Sequence, residues 1–550
     1  MTATEKKRFV AKMHPADNVL VALVDLHKGT SITEGGNTYI LQEDIRAKHK
    51  FYTTALQPGD EVIMYGVLVG KTTCAVEPGC LMTTVNLRHA AEPYAYRNYP
   101  YQWQAPDVSK FANRTFLGYK RSDGKVGTAN YWLFIPTVFC ENRNLDVIRE
   151  ALHNELGYAV TGPYKQFARQ LVAAYQQGHD LSAINLSPAV GAPSRLFKNV
   201  DGIKFLNHQG GCGGTRQDAA TLSALLAAYA NHPNVGGVTV LSLGCQHLQI
   251  QDFLEDLKKQ NPVFDKQLLI FEQQQSESEA QLVTSAIQKT FEGLVALNKM
   301  ERTPAPLSEL CVGVKCGGSD GFSGVSANPA VGYASDLLAA LGAKVLLAEF
   351  PELCGVEQNL IDRCTTADNA QKFIRLMQSY DALAHQAGSG FYMNPSPGNI
   401  KDGLITDAIK SAGAAKKGGT SPVVDVLDYT EPATKPGLSL VCTPGNDVEA
   451  TTGKAAAGAT LILFTTGLGT PTGNPVCPVI KLATNTTLAK KMADLIDIDC
   501  GPIIDGEKSI EEMGEAILEY CIQAASGVVI PKAVQLNQDD FIPWKRGVSL

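Results

Sequence analysis

The chain has no long apolar run. No stretch comes near the roughly 18 uninterrupted apolar residues of a membrane span, so no membrane partner is expected. It has no dense basic run either, and a net charge of -7 gives no general reason to bind nucleic acid. The opening stretch, MTATEKKRFVAKMHPADN, lacks the apolar core of a signal peptide. No CxxC pair, HExxH or EF-hand loop occurs, which argues against a closed structural zinc site. No glycine loop is followed by GKS/T, and no GxGxxG opens a helix, so a nucleotide cofactor is not expected. Low-complexity segments and fixed-period repeats are also missing. Cysteine is present, but thirteen is an odd count scattered over 550 residues. The scatter argues against both a disulfide framework and an iron–sulfur protein and fits a reducing cytoplasm, where most thiols pack as small buried side chains.

What is present reads as several domains. A chain of 550 residues is too long for one core, and 44% hydrophobic with 19% charged residues is ordinary globular composition. Residues 1–92 carry short β-like runs (NVLVALVDL, EVIMYGVLVG) between glycine-bearing and charged turns, which predicts a small all-β module. A stretch rich in aromatics and proline, at 93–115, reads as a connector whose aromatics pack onto a neighbouring domain. Strands then alternate with helices through 116–300 and again, after the proline-bearing ERTPAPLSE, through 301–550. The expected fold class is α/β: a small N-terminal all-β module followed by two α/β domains with mostly parallel sheets.

The informative feature is collective. At least seven expected strands end in a loop combining glycine with polar or sulfur-bearing residues: Cys140–Asn142, His208–Arg216, Gly244–His247, Cys316–Asp320, Glu349–Gly355, Cys442–Asp447 and Thr465–Cys477. Ligands of open α/β sheets sit beyond the carboxyl ends of the strands, and glycine lets backbone N–H groups approach an anion. The loops are therefore read as rims of a cleft for a small anionic substrate, although glycine at a βα turn is common for steric reasons alone. Glu349 and Glu352 in EFPE suit acid–base work or a hard metal ion; equally, one caps a helix and the other is solvated. His208 and Cys212 are a weak metal signal. Asn446 and Asp447 fit a turn or a sugar hydroxyl, and Lys481 fits a substrate carboxylate or the surface.

Read together, KCGGSDGFSGVSANPAVG, AEFPELCGVE, NPSPGN, PGNDVEATTG, FTTGLGTPTGNP and IKLATN resemble the C-terminal region of the altronate and galactarate dehydratases. GYKRSDGKVGTANYWLFIPTV and FEQQQSESEA are similar to the middle of that family, and NVLVAL, KHKF and MYGVLVG to its SAF domain. The resemblance implies a metal-dependent hydro-lyase that removes water from a sugar acid. The first choice is D-altronate, giving 2-dehydro-3-deoxy-D-gluconate; galactarate dehydration, C–S cleavage of a sulfonated acid and a non-catalytic sugar-acid binding protein stay open. It also implies a divalent metal, Fe²⁺ or Mn²⁺, and a small-molecule sugar acid as partner, with homo-oligomers left open. Expected catalytic residues are Asp320, Glu352, Asp447 and His49. Expected substrate contacts are Cys316, Gly317, Gly318, Ser319, Asn446, Lys481 and Arg216. Expected metal ligands are His49, His89, His208, Cys212 and Cys245. The family's His-x-His-Asn pattern reads Thr83-Thr84-Val85-Asn86 here, which moves that expectation to His89, His49 or another group.

Overall fold

Short β-branched runs broken by turns make the first ninety residues a set of small antiparallel sheets. Strand Val19–Ala22 lies between Val10–Ala11 and Lys50–Tyr52, and Val67–Thr72 lies between Glu61–Met64 and Leu87–Arg88. Alternate side chains of the first sheet close over a small core that includes Val10, Leu20, Ile32, Ile45 and Phe51. The computed structural model describes residues 8–160, 162–186 and 194–549; residues 1–7, part of the opening stretch read above for a signal peptide, lie outside these.

The chain forms two units. The first joins Met1–Leu117 to Pro304–Ala533, and the second joins Gly118–Thr303 to Val534–Leu550. In the first unit, seven strands run parallel in the order Val423–Leu427, Gly437–Val441, Lys344–Ala348, Cys311–Cys316, Leu461–Thr466, Val479–Ala483 and Ile498–Asp499. The central strands are buried along their whole length, as a sheet covered on both faces requires. From Cys311–Cys316 the chain builds first to one side, through Lys344–Ala348, and later to the other, through Leu461–Thr466. The first strand is thus the topological switch point, and a ligand crevice is expected beyond its carboxyl end.

The β module docks on this α/β layer through polar contacts. Lys48 Nζ pairs with Asp320 at 3.0 Å, Lys50 Nζ donates to Gly403 O at 2.6 Å, and Thr406 Oγ1 donates to Val69 O at 2.8 Å. Connector aromatics pack on the same layer, as expected from sequence: Tyr101 OH and Trp103 Nε1 donate to Thr420, and Arg97 pairs with Asp362.

In the second unit, four parallel strands follow the order Gly202–Phe205, Tyr131–Pro136, Val235–Ser242 and Gln267–Glu272 over a core that includes Trp132, Phe134, Leu145 and Leu241. Sequence places 534–550 with the C-terminal domain; here the segment packs in this unit. Asp539 pairs with Lys204 at 2.7 Å, the Phe541 ring lies 5.0 Å from Tyr229, and Asp218 accepts from the Arg546 and Gly547 amides. No helix among the described residues is long and apolar enough to cross a membrane.

Candidate active site

Strand ends, one turn and two helices bring charged groups together at the switch point of the seven-stranded sheet. Lys315 and Cys316 close the switch strand. Glu349 directly follows Lys344–Ala348 in a left-handed conformation (φ 72°), which is rare outside glycine and turns the chain sharply into the 3-10 segment Phe350–Leu353. That turn carries Glu352 back beside Glu349. Asp447 is the first residue of helix Asp447–Ala456, whose N-terminus is capped by Asn446 Oδ1 accepting from the Val448 and Glu449 amides. Lys454 comes from the same helix, Lys410 from helix Asp407–Ala415, and Lys417 from the short turn Lys416–Gly418.

These side chains form one network. Lys315 Nζ donates to the Cys316 carbonyl at 2.6 Å, pairs with Asp447 Oδ1 at 2.7 Å and pairs with Glu349 Oε1. Lys417 Nζ lies 3.2 Å from Cys316 Sγ and 3.5 Å from Glu349 Oε2. Lys410 Nζ lies 2.9 Å from Glu352 Oε1 and 2.6 Å from Asn394 Oδ1. The Cys316 thiol points at Glu352 Oε2, 3.7 Å away, and Lys454 Nζ stands 3.6 Å from Glu349 Oε2. Neither of those last two atoms has a hydrogen-bond partner although both are buried. Lys315, Lys417, Lys454 and Glu349 are fully buried, whereas the Asp447 side chain is 27% exposed, so the network meets solvent at Asp447.

Four ammonium groups (Lys315, Lys410, Lys417, Lys454) face three carboxylates (Glu349, Glu352, Asp447). Burial opposes charge on each buried member, and the partners decide which survives. Burial works against the Lys315 ammonium, but Glu349, Asp447 and Glu352 hold its pKa well above the usual lysine range. Burial also works against Glu352, yet Lys410, Lys315 and Lys417 hold it at about 2. Burial pushes the Cys316 thiol up; Lys417 pulls it down, and Glu352 and Glu349 push it up again. A neutral thiol matches its donation to Glu352. Burial brings Lys454 down to about 8, with Glu349 as the opposing influence. The result is a buried cluster with surplus positive charge, suited to an anion that gains charge during reaction.

Of the residues expected from sequence, Cys316, Glu352 and Asp447 are in the network. Gly317 supports it: a Cβ there would meet the Asp447 carboxylate oxygens at 2.5 and 2.6 Å. Gly318 (φ 57°) packs against Thr470 Oγ1, 2.7 Å from where a Cβ would stand. Ser319 is buried, and its carbonyl accepts from Asn399 Nδ2 at 2.8 Å. The Asn446 oxygen is spent on its cap, so a substrate hydroxyl would have to meet its amide NH₂. Asp320 departs from its expected catalytic role. Oδ1 accepts from Phe322 N and Ser323 Oγ, Oδ2 accepts from Thr484 Oγ1, and Lys48 pairs with it. A carboxylate bonded on both oxygens anchors a fold better than it takes a proton. Lys481 Nζ donates to Thr472 O beside Phe464, a ring that also borders Lys315.

The expected metal ligands divide between the two units, His49 and His89 in the first and His208, Cys212 and Cys245 in the second. His49 Nε2 bonds Lys401 O at 3.2 Å, and burial followed by Lys50 lowers its pKa. His89 Nδ1 accepts from Ala408 N. In the second unit, His208 Nε2 donates to Pro136 O and Nδ1 accepts from Gly210 N, which leaves no ring lone pair for a metal; burial lowers its pKa to about 4. Cys212 and Cys245 are exposed. Arg216 borders a separate cavity of about 550 Å³ with His247, Asp252 and Glu255. Among the described residues, three metal-capable donors come together in Cys316, Glu349 and Glu352, all within 4.8 Å of one another. Sequence reading passed over Lys410, Lys417 and Lys454 because they stand on helices and a turn, not at strand ends. Lys454 did carry a signal, a lysine amid the small residues of ATTGKAAAGAT.

Three family models match the chain in succession: "Altronate/galactarate dehydratase SAF domain" over residues 8–90, "D-galactarate dehydratase/Altronate hydrolase, second domain" over 118–298, and "D-galactarate/Altronate dehydratase, C-terminal" over 307–549. The chain is 34% identical to altronate dehydratase of Escherichia coli (strain K12) over 543 residues, covering 98% of this chain and 99% of that one. It is 32% identical to altronate dehydratase of Bacillus subtilis (strain 168), covering 99% and 100%. It is 33% identical to galactarate dehydratase (L-threo-forming) of Escherichia coli (strain K12), covering 94% and 93%. With all three family segments in order and relatives matched end to end, the chain belongs to the altronate/galactarate dehydratase family.

Proposed function

We propose that this chain removes water from a sugar acid, with D-altronate as first choice and 2-dehydro-3-deoxy-D-gluconate as product. The observation that carries the reading is the buried network of four lysines, three carboxylates and a thiol at the switch point. The proton α to a carboxylate is very weakly acidic, because its loss puts a second negative charge on that carboxylate. Fixed ammonium donors at Lys315 and Lys417, in a site screened from water, favour the dianionic enediolate over the monoanionic substrate. Asp447, the member open to solvent and oriented by Lys315, is assigned the proton transfer from the α carbon. Lys410, held by Glu352 and Asn394, is assigned the proton delivered to the departing β-hydroxyl.

A divalent ion, Fe²⁺ or Mn²⁺, fits the donor chemistry of Cys316, Glu349 and Glu352. Their ligand atoms are close enough to share one ion, and Glu349 Oε2 is a buried oxygen with no hydrogen bond. Those three residues would hold it, and when bound it supplies a Lewis acid for the substrate carboxylate. The thirteen free thiols support a reducing, cytoplasmic setting for the enzyme.

The test is anaerobic purification with elemental analysis, then keto-acid formation from D-altronate, galactarate and a sulfonated hydroxy acid with added Fe²⁺ or Mn²⁺. Release of 2-dehydro-3-deoxy-D-gluconate from D-altronate is expected. Tight binding of sugar acids with no keto acid at either metal would turn the reading into that of a binding protein.

A further inference from the structure

A second cavity, of about 310 Å³, lies within the first unit and shares no lining residue with the lysine network. Three distant segments build it: the hairpin turn of the β module (Tyr65), the connector (Tyr101) and the α/β layer (Tyr333, Asp336, Arg363, Lys416). Its volume falls at the lower end of small-molecule sites. Tyr65 and Gly66 join Glu61–Met64 to Val67–Thr72 in a two-residue turn with φ of 58° and 78°, a conformation costly for tyrosine. The turn holds the Tyr65 side chain against Gly324 and Gly413, where a larger residue at 324 would strike the hydroxyl. Tyr65 is 94% buried, given its 6% exposure, and its hydroxyl makes no hydrogen bond among the described residues.

The charges that line this cavity do not cancel. Lys416 Nζ approaches the Tyr65 ring at 5.8 Å, and no carboxylate comes within 4.0 Å of it among the described residues. Arg363 is buried and gives Nε and Nη2 to the Ser421 carbonyl, a neutral acceptor. Asp336, the one lining carboxylate, is saturated by the Thr420 amide and hydroxyl and the Ser421 amide. Asp17 also draws on Lys416 but lies outside the lining, so within the cavity wall two cations face one carboxylate already bonded to neutral donors, beside a buried hydroxyl and aromatic faces. Burial lowers the Lys416 pKa and Arg363 adds to that lowering, against the pull of Asp17, so an anion placed here would relieve both cations.

We propose that this cavity is a second binding site that takes the carboxylate of a small hydroxy acid on Lys416 and Arg363, with its hydroxyls on Tyr65. The next residue in the chain, Lys417, holds Cys316 and Glu349, so the two sites are one peptide unit apart. The proposal does not depend on the lyase reading, because binding alone tests it. The acid has two natural sources, a saturated sugar acid or a keto acid, and D-gluconate and 2-dehydro-3-deoxy-D-gluconate stand for them.

Calorimetric titration of the full chain with each acid should show, for at least one of them, a site that the Lys416 variants weaken, whether or not the lysine network binds that acid as well, and that acid identifies the source. Lys416→Met should weaken one site roughly tenfold or more, and Tyr65→Phe should weaken the same site severalfold. Glu352→Gln, outside this cavity, should leave that site unaltered. Lys416 makes no hydrogen bond or ion pair through its side chain, so melting should be unchanged; Lys416→Gln replaces the methionine variant if it is not. No binding of either acid to the wild type, or binding left unaltered by both Lys416 variants, would overturn the proposal.

Discussion

Asp320 and Glu352 present the same functional group in opposite settings. Asp320 is bonded on both oxygens and paired with Lys48, while Glu352 faces a thiol and the Lys410 ammonium inside the network. Asp320→Asn should therefore lower stability by about 1–3 kcal/mol, the cost of upsetting a buried charge-assisted bond, and leave kcat of the folded enzyme within about threefold. Glu352→Gln should lower kcat/KM about 10²-fold or more, because Lys410 loses the carboxylate that orients it. Thermal melts beside steady-state kinetics separate the two, and the reverse pattern would move catalysis to Asp320. The metal question also belongs at this scale. The ammonium groups of Lys315, Lys410 and Lys417 are paired with the same residues that would ligate an ion, and burial keeps Cys316 protonated. Binding must expel protons, so Mn²⁺ affinity should rise roughly tenfold per pH unit for each proton released between pH 6.5 and 8.5. Titration of free Mn²⁺ by its paramagnetic resonance would show this; a flat profile would place the ion elsewhere.

Among the elements, the strands and their terminal loops were legible because apolar β-branched runs ending in glycine carry their own local signal. Cys316, Glu352 and Asp447 came with them. The helical and turn lysines did not, since a lysine on a helix normally faces water; the small residues around Lys454 hint that it points inward, while nothing local reports it for Lys417. Nor does pattern alone reveal that Asp320 is consumed by Lys48 from another module. Gly317 tests how far the strand-end geometry matters. Alanine there would press on the Asp447 carboxylate at 2.5 and 2.6 Å and on Phe464 at 2.6 Å. Gly317→Ala should cost about 1–3 kcal/mol through overpacking and should lower kcat more than it raises KM, since the group displaced is the one assigned the α proton. Melting and a kcat against KM split would check it, and an unaffected kcat would remove Asp447 from the reaction.

At the scale of the molecule, the β module and the α/β layer of the first unit are joined by two lysines of the module, Lys48 and Lys50. Lys50 is the sharpest case: fully buried, with one carbonyl partner, its pKa pushed down to about 7 by burial, with Asp320 too weak an opposing influence. Its unfolded value is near 10.4. Between these two values the unfolded chain binds a proton that the native chain does not, so stability from this group rises with pH from about 7 to 10. Below 7 both states are protonated and the burial penalty is constant. The slope is bounded by about 1.4 kcal/mol per pH unit for one proton. Lys50→Met abolishes that slope while keeping the length of the side chain, at the cost of leaving Gly403 O without its donor. The melting-temperature gap between wild type and Lys50→Met should therefore widen in favour of wild type from pH 7 to pH 9. Comparing the two proteins at each pH cancels the other groups that titrate in this range, Lys454 included. A gap that stays constant across the range would mean that Lys50 keeps its charge under the β module, and the docking would then rest on a buried cation.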